Sequence, residues 1–273
     1  MGFLKFTKDE YKKIVVPLAK RLVNDHKGET LLVGMQGGQG TGKTTISKFL
    51  TKELKSYGYK VVRFSIDDFY LSWDKRKRLM KKHSNNPFYQ ISRGMPGTHR
   101  VKDLYDTLKK AKQGKAFSIP IFDKSLHNGK GDIIKKTVKV KGKLDFLILE
   151  GWNVGLPDVS LAKLSKICKK YKINLQRGSG LTLQKNKVYK KIWKILQYYI
   201  QVLPDKSNLH YQWRLLQEKR LIRDKGKGMS LKEIKHFTDI YLPLTYVCYD
   251  QIKADAIIKV DKRHNYYKLF LRK

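Results

Sequence analysis

The feature that most constrains this chain is GGQGTGKT at residues 37–44, which matches the pattern G-x-x-x-x-G-K-[ST] in full. A short apolar segment, residues 31–33, precedes it and is typical of a buried parallel strand, and the apolar spacing of residues 45–50 predicts a helix after it. This order aims successive backbone N–H groups and the positive end of the helix at one phosphate. A chance glycine-rich turn would lack those flanks, so the sequence predicts a site for a nucleoside triphosphate.

This loop predicts how a nucleotide and its metal would be held. Lys43 is expected to reach the β- and γ-phosphates, and the Thr44 hydroxyl is expected to hold Mg²⁺. The predicted nucleotide-binding residues of the loop and the helix start are Gly37, Gly38, Gln39, Gly40, Thr41, Gly42, Lys43, Thr44 and Thr45.

Strand-like and helix-like segments alternate along the rest of the chain. Strands are predicted at residues 60–66, 143–149, 199–203 and 256–260, although residues 199–203 could instead end a helix. Helices are predicted at residues 7–25, 101–111 and 213–223, and Pro17 should kink the first or restart it. The alternation predicts an α/β fold with a doubly wound, mainly parallel sheet and ligands at the C-terminal ends of its strands.

Charge and composition limit which partners and which cellular compartment are plausible for this chain. The 60 Lys and Arg residues against 23 Asp and Glu residues give a net charge of +37, so nucleic acid must be considered as a partner, although the lysines are spread along nearly the whole chain. No apolar run approaches the ~20 residues of a membrane span, and the first residues lack a signal-peptide core. Two isolated cysteines, Cys168 and Cys248, favour a reducing compartment, either the cytoplasm or an organelle interior.

Acidic residues stand at the ends of two predicted strands. Asp67 and Asp68 follow residues 60–66, where a carboxylate could accept a proton from a substrate hydroxyl or hold Mg²⁺ through water, and helix capping is the alternative. Glu150 ends the apolar run at residues 143–149, where a bound metal would offset its burial and pairing with a lysine is the alternative.

Polar loops and one basic helix supply further candidates. Residues 93–99 (RGMPGTH) and 122–132 (FDKSLHNGKGD) are expected to be loops, either of which could grip an anionic substrate. The predicted helix at residues 213–223 carries Arg214, Arg220 and Arg223, which could close over phosphates as a lid or form a solvated basic face.

These segments, in this order, resemble the D-glycerate 3-kinase family, which belongs with uridine kinase, phosphoribulokinase and bacterial pantothenate kinase among the phosphate-loop kinases. The phosphate loop is specific to the fold, and the segments at residues 93–99, 122–132 and 150–152 narrow the resemblance to this family. The resemblance covers about residues 30–245, with departures at Arg100, at Ile133 and over residues 186–193.

The resemblance implies a P-loop kinase fold with a helical lid, in one domain over residues 1–273 with the lid at approximately residues 205–245. It implies ATP and Mg²⁺ as cofactors and transfer of the γ-phosphoryl group to a hydroxyl of a small acid, glycerate first among them. Lys43, Asp67 and Glu150 would be catalytic, with Asp67 as the base, and Thr44, Asp67 and Glu150 would hold the metal. The residues expected to bind the acceptor are Asp68, Tyr70, Arg93, His99, Asp123 and Lys124, and the lid cations expected to bind the nucleotide are Arg214, Arg220 and Arg223.

Two other interpretations stay open. The acceptor could be a nucleoside, a pantothenate-like acid or a sugar phosphate on the same fold. A nucleotide-dependent nucleic-acid-binding protein would explain the charge of +37 better but the polar loops around Arg93 and Asp123 worse. The sequence sets no oligomeric state.

Overall fold

The computed structural model describes residues 6–206, 209–225 and 228–272, except for the side chains of residues 220, 221, 224 and 225. In this part of the chain the strands are β1 (Leu31–Gly37), β2 (Val61–Ser65), β3 (Phe117–Asp123), β4 (Asp132–Val140), β5 (Phe146–Gly151), β6 (Tyr198–Pro204), β7 (Ala256–Val260) and β8 (Tyr266–Leu271). The α-helices are α1 (Lys8–Glu10), α2 (Val16–Asp25), α3 (Lys43–Ser56), α4 (Trp73–Lys82), α5 (Pro87–Gln90), α6 (Val101–Lys112), α7 (Leu126–Gly129), α8 (Leu161–Lys170), α9 (Ser179–Asn186), α10 (Lys190–Trp193), α11 (Leu209–Lys225) and α12 (Leu231–Gln251). A π-helical turn spans Tyr11–Val15, and 3₁₀ turns span Ile66–Phe69 and Lys187–Tyr189.

A six-stranded sheet forms the centre of the molecule. Its strands lie in the order β2-β5-β1-β6-β7-β8, and every neighbouring pair is parallel except β7 and β8. The predicted doubly wound, mainly parallel sheet is therefore confirmed. Residues 199–203 lie in β6, so the helical alternative for them is wrong.

Alternating side chains of the central strands pack into separate cores on the two faces of this sheet. On β5, Phe146 and Ile148 pack with residues of α2 and α3, whereas Leu147 and Leu149 pack with residues of α6 and α10. Because both faces are covered by helices, the central strands are mainly apolar, which makes them recognisable in the sequence.

Pro17 lies at the start of α2, immediately after the π-helical turn Tyr11–Val15. The backbone of Val15 and Val16 is right-handed helical, and the Val16 N–H donates to the Tyr11 carbonyl across the π-helical turn. The first predicted helix therefore continues past Pro17, with the irregular turn just before the proline.

Residues 124–131 form the loop of a hairpin, in which β3 and β4 make an antiparallel two-stranded sheet whose paired ends are Asp123 and Asp132. This sheet was not predicted, because residues 135–139 of β4 are exposed and its sequence lacks the apolar signal of a buried strand. Helices α4, α8 and α9 and strand β8 were also not predicted. No helix in the described ranges is long and apolar enough to span a membrane.

Candidate active site

The phosphate loop connects the end of β1 to the start of α3, as the motif predicts. Gly40 and Gly42 have φ angles of +78° and +82°, in the left-handed region that favours glycine. Thr41 closes the turn by donating its hydroxyl to the Gly38 carbonyl at 2.9 Å. Helix α3 begins at Lys43, so its N-terminal N–H groups and the lysine lie together at the loop.

Glu150 lies beside this loop. It pairs in register with Met35 of β1 on one side and with Ser65 of β2 on the other. Its side chain is 4% exposed, and its Oε1 accepts a hydrogen bond from the Thr44 hydroxyl at 2.9 Å. Among the described residues Glu150 forms no ion pair, which disfavours the alternative of a structural pairing with lysine.

Asp67 lies two residues beyond Ser65, at the same edge of the sheet. Its carboxylate accepts hydrogen bonds from Lys124 Nζ and from the Tyr70 hydroxyl, each at 2.7 Å. Burial by itself would raise the pKa of Asp67, but the charge and hydrogen bond of Lys124 and the bond from Tyr70 outweigh it and lower the pKa to about 2. Asp67 is therefore ionised in the free protein, in contact with one cation.

Asp68 caps the short helical turn that follows β2, which was the alternative role for Asp67 and Asp68. Its Oδ2 accepts the Ser65 backbone N–H at 3.0 Å, and the Ser65 hydroxyl accepts the Asp67 N–H in return. Burial raises the pKa of Asp68, and the nearby carboxylates of Asp67 and Glu150 raise it further, against the lowering effect of the Ser65 bond. The capping contact of Asp68 is thus structural, and contact with an acceptor stays a prediction.

The segment at residues 93–99 is fixed by aromatic side chains. Tyr241 donates its hydroxyl to the Arg93 carbonyl at 3.0 Å, and the Trp152 indole donates to the Gly94 carbonyl at 3.1 Å. Tyr89 donates to the Pro96 carbonyl at 2.9 Å. The Arg93 guanidinium itself donates to the carbonyl of Gly129, in the loop after β3, at 2.7 Å.

His99 is a buried support for Tyr70. It is 4% exposed, stacks on the Tyr70 ring at 4.6 Å between centroids, and bonds through Nδ1 to the Tyr189 hydroxyl at 2.8 Å. Burial lowers the pKa of His99 to about 4, although Asp67 opposes the shift, so the ring is neutral near pH 7. Its predicted contact with an acceptor is not visible in these bonds.

Lys124 follows β3 directly and contacts Asp67, whereas Asp123, the last residue of β3, bonds to Ser125. Asp123 Oδ1 accepts bonds from both the backbone N–H and the hydroxyl of Ser125, which fixes the turn. Lys124 is 58% exposed, so its contact with Asp67 leaves it accessible to a ligand.

The three arginines predicted to form a lid lie on α11, where Arg214 is partly buried and Arg223 is exposed. Arg214 pairs with Glu218, which is 3% exposed and also accepts the Met229 N–H at 3.0 Å. The Arg214 guanidinium also lies 4.7 Å from the Phe237 ring. Arg214 thus ties α11 to α12. Arg223 occupies an exposed helix position, and the side chain of Arg220 lies outside the described residues.

The side chains beside the phosphate loop fit a Mg²⁺ site in which substrate phosphates supply most of the ligands. Thr44 and Glu150 present a hydroxyl and a buried carboxylate 2.9 Å apart beside the phosphate loop. Within the part of the chain that the structure describes, no group of three or more His, Cys, Asp or Glu side chains could hold a metal by itself. Mg²⁺ commonly keeps waters and takes only one or two carboxylates plus substrate phosphates, so this sparse set suits it.

Aromatic residues that the sequence analysis missed support the phosphate loop. The Tyr249 hydroxyl accepts the Gly38 N–H at 2.7 Å, and His210 contacts the Gln39 carbonyl through Nδ1 at 3.0 Å. Trp213 and Tyr266 press against the loop so closely that a Cβ at Gly40 would meet the former at 2.8 Å and one at Gly42 the latter at 1.7 Å. Nothing in the local sequence separates these side chains from ordinary core aromatics.

Comparisons with known proteins agree with this geometry. The family model for the phosphoribulokinase and uridine kinase family matches residues 32–166. An uncharacterized kinase of Schizosaccharomyces pombe is 34% identical over 229 residues, which are 82% of this chain and 82% of that protein. The chloroplastic D-glycerate 3-kinase of Arabidopsis thaliana is 28% identical over 221 residues, 78% of this chain but only 46% of the relative. The solved structure of D-glycerate 3-kinase from Cryptococcus neoformans superposes with a TM-score of 0.83 at 25% identity, covering 95% of this chain and 99% of that one.

The fold and the site thus define a phosphate-loop kinase. The chain belongs to the phosphoribulokinase and uridine kinase family, and it is similar to D-glycerate 3-kinases.

Proposed function

We propose that this kinase transfers the γ-phosphoryl group of ATP to a hydroxyl of a small carboxylic acid, with D-glycerate as the first candidate. The observation that carries the proposal is the Asp67–Lys124 pair, in which a carboxylate and an accessible ammonium lie 2.7 Å apart at the strand edge that holds Glu150. A carboxylate suits a hydroxyl as its proton acceptor, and an ammonium suits an acid as its binding group. The D-glycerate 3-kinases among the relatives support the same acceptor.

The proposed roles follow from the placement of each side chain. Lys43 and the N–H groups at the start of α3 would bind the β- and γ-phosphates, with Arg214, Arg220 and Arg223 as lid cations over the nucleotide. Thr44, Glu150 and Asp67 would hold Mg²⁺ together with the phosphates, and the bound ion would neutralise charge that develops on the transferring group. Tyr70, Arg93 and Lys124 would contact the acceptor.

The free protein holds Asp67 in a weakly basic state, because its pKa is about 2 while Lys124 contacts it. An acceptor with its own carboxylate would compete with Asp67 for the Lys124 ammonium. Loss of that contact would raise the pKa of Asp67 and make it a better acceptor for the hydroxyl proton. An uncharged alcohol would leave the pair intact, so this arrangement favours acids over uncharged nucleosides.

The test is an acceptor panel assayed with radiolabelled ATP. D-glycerate, L-glycerate, pantothenate, uridine and ribulose 5-phosphate are compared at equal concentration, with the Lys43→Ala variant as the background. We expect D-glycerate to give the highest kcat/KM and phosphorus NMR to show a phosphomonoester product. Transfer to uridine or to the sugar phosphate at a higher kcat/KM than to any acid would refute the proposal.

The salt dependence of RNA binding distinguishes a nucleic-acid-binding role from a kinase that only attracts polyanions. The charge of +37 attracts any polyanion, so binding to RNA at low salt carries no information. RNA binding that persists above ~150 mM salt and competes with ATP would favour that alternative.

A further inference from the structure

Arg76 is a buried cation within a run of exposed ones. It lies on α4 with 0% of its surface exposed, whereas Lys75, Lys77 and Arg78 beside it are exposed. A fully buried arginine is rare unless its charge and its donors are engaged. The rest of the run is the solvated basic face that its composition predicts.

The Arg76 guanidinium is bound entirely by backbone carbonyls. Its Nε donates to Leu71 at 2.9 Å, and its Nη1 donates to Ser92 at 3.0 Å and to Lys130 at 2.8 Å. Its Nη2 donates to Gly131. These four carbonyls belong to three segments that are far apart in the sequence.

Each of the three segments leads into the proposed acceptor site. Leu71 follows Tyr70, and Ser92 precedes Arg93. The third contact, at residues 130–131, closes the loop that begins with Lys124 and joins β3 to β4. The side chains proposed to meet the acceptor therefore come from segments that one guanidinium holds together.

Arg76 forms no ion pair with a carboxylate among the described residues. The rings of Phe122 and Trp73 flank its guanidinium at 5.1 and 5.3 Å. Arginine stays protonated near neutral pH, so Arg76 adds a buried positive charge close to the loops that carry Arg93 and Lys124, which the nearby carboxylate of Asp132 offsets only in part.

We propose that Arg76 is the positioning residue of the acceptor site: it fixes the three segments in one arrangement and adds a buried positive charge that attracts an anionic acceptor. Its planar fork of five donors reaches several carbonyls at fixed angles, which the single ammonium of a lysine cannot reproduce. The inference rests on the proposed function for the identity of the site, but its structural half does not depend on which acceptor is used.

The test compares Arg76→Lys and Arg76→Met with Arg78→Met, which removes an exposed arginine from the same helix. Hydrogen exchange is measured on the ligand-free protein, and kcat/KM for the best acceptor and the Kd for ATP are measured separately. We expect exchange at residues 67–71, 92–99 and 124–131 to be at least 10-fold faster in both Arg76 variants and unchanged in Arg78→Met. The value of kcat/KM for the acceptor should fall by about 10²-fold, as expected for a small misplacement of positioned groups, while the Kd for ATP changes less than twofold.

Each outcome decides the matter. Unchanged exchange in the three segments of Arg76→Lys would overturn the proposal whatever the acceptor is. Faster exchange that extends equally to α3 would also overturn it, because Arg76 would then contribute only to general stability. If Arg76→Met fails to fold, Arg76→Lys, which keeps the charge, carries the test. If the wild-type kinase phosphorylates no acid, the proposed function fails, and the exchange result still accepts or rejects the positioning role.

Discussion

Replacing Lys124 with methionine is expected to change the ionisation of Asp67 more than any other single surface substitution. The ammonium lies 2.7 Å from Asp67 Oδ2, and it supplies both a charge and a hydrogen bond that lower the pKa of this carboxyl. Methionine keeps the length and the apolar stem of the side chain but removes both effects. The Tyr70 bond at 2.7 Å then remains to oppose burial, which is the largest single influence and acts to raise the pKa.

The magnitude follows from these opposing effects. With Lys124 present the pKa of Asp67 is about 2, against an ordinary value of 3.8. Without the ammonium, burial dominates and the pKa should rise above 3.8, a change of about 2 units, or roughly 2.5 kcal/mol at 1.36 kcal/mol per unit. A carboxyl whose folded pKa is depressed stabilises the protein above its unfolded pKa and loses that contribution as pH falls through the folded value. The stability difference between wild type and variant should therefore be greatest near neutral pH and shrink as the pH falls from about 4 to about 2.

The assay is a carbon-detected NMR titration of the side-chain carboxyls between pH 2 and 7, with Asp67→Asn to assign the resonance. Lys136→Met, which removes an exposed lysine of β4, is the matched control. We expect a midpoint near 2 in the wild type and the control, and above 3.8 in Lys124→Met. A midpoint that stays near 2 in Lys124→Met would refute the reasoning, because the lowered pKa would then have another source.

Three further predictions concern the phosphate loop and the base. Asp67→Asn should lower kcat by ~10²-fold or more with ATP binding retained, measured by steady-state kinetics and calorimetry, and near-wild-type turnover would dismiss Asp67 as the base. Lys43→Ala should reduce single-turnover transfer by roughly 10²–10³-fold through lost stabilisation of γ-phosphate charge, and full activity would remove the phosphate-loop mechanism. Gly28→Ala, at φ +77° in open space, should cost about 1–2 kcal/mol of unfolding free energy in urea. Gly42→Ala should cost more, because at φ +82° its Cβ would also lie 1.7 Å from Tyr266 Oη. Equal losses would show that the clash of this Cβ with Tyr266 carries no penalty.

The sequence was sufficient wherever the information is local. The phosphate loop is eight consecutive residues whose backbone needs glycine at positions of positive φ. Its position, its glycines and Lys43 at the start of α3 therefore follow from the motif. The central strands β1 and β5 follow from apolar runs, because both of their faces are buried. Thr44 and Glu150 could be assigned to one edge because parallel strands end together.

Tertiary structure decided what depends on contacts between distant segments. The Lys124–Asp67 pair joins residues 57 positions apart, and only the return of the β3–β4 sheet toward the end of β2 brings them together. Arg76 and Arg78 lie in one basic run, yet one is buried and the other exposed, because burial depends on which loops fold over α4. Arg76 and Arg78 have the same side chain and lie two positions apart, so neither residue type nor local spacing predicts which of them is buried. The surroundings that separate a structural cation from a solvated one, or a capping carboxylate from a base, exist only once the chain has folded.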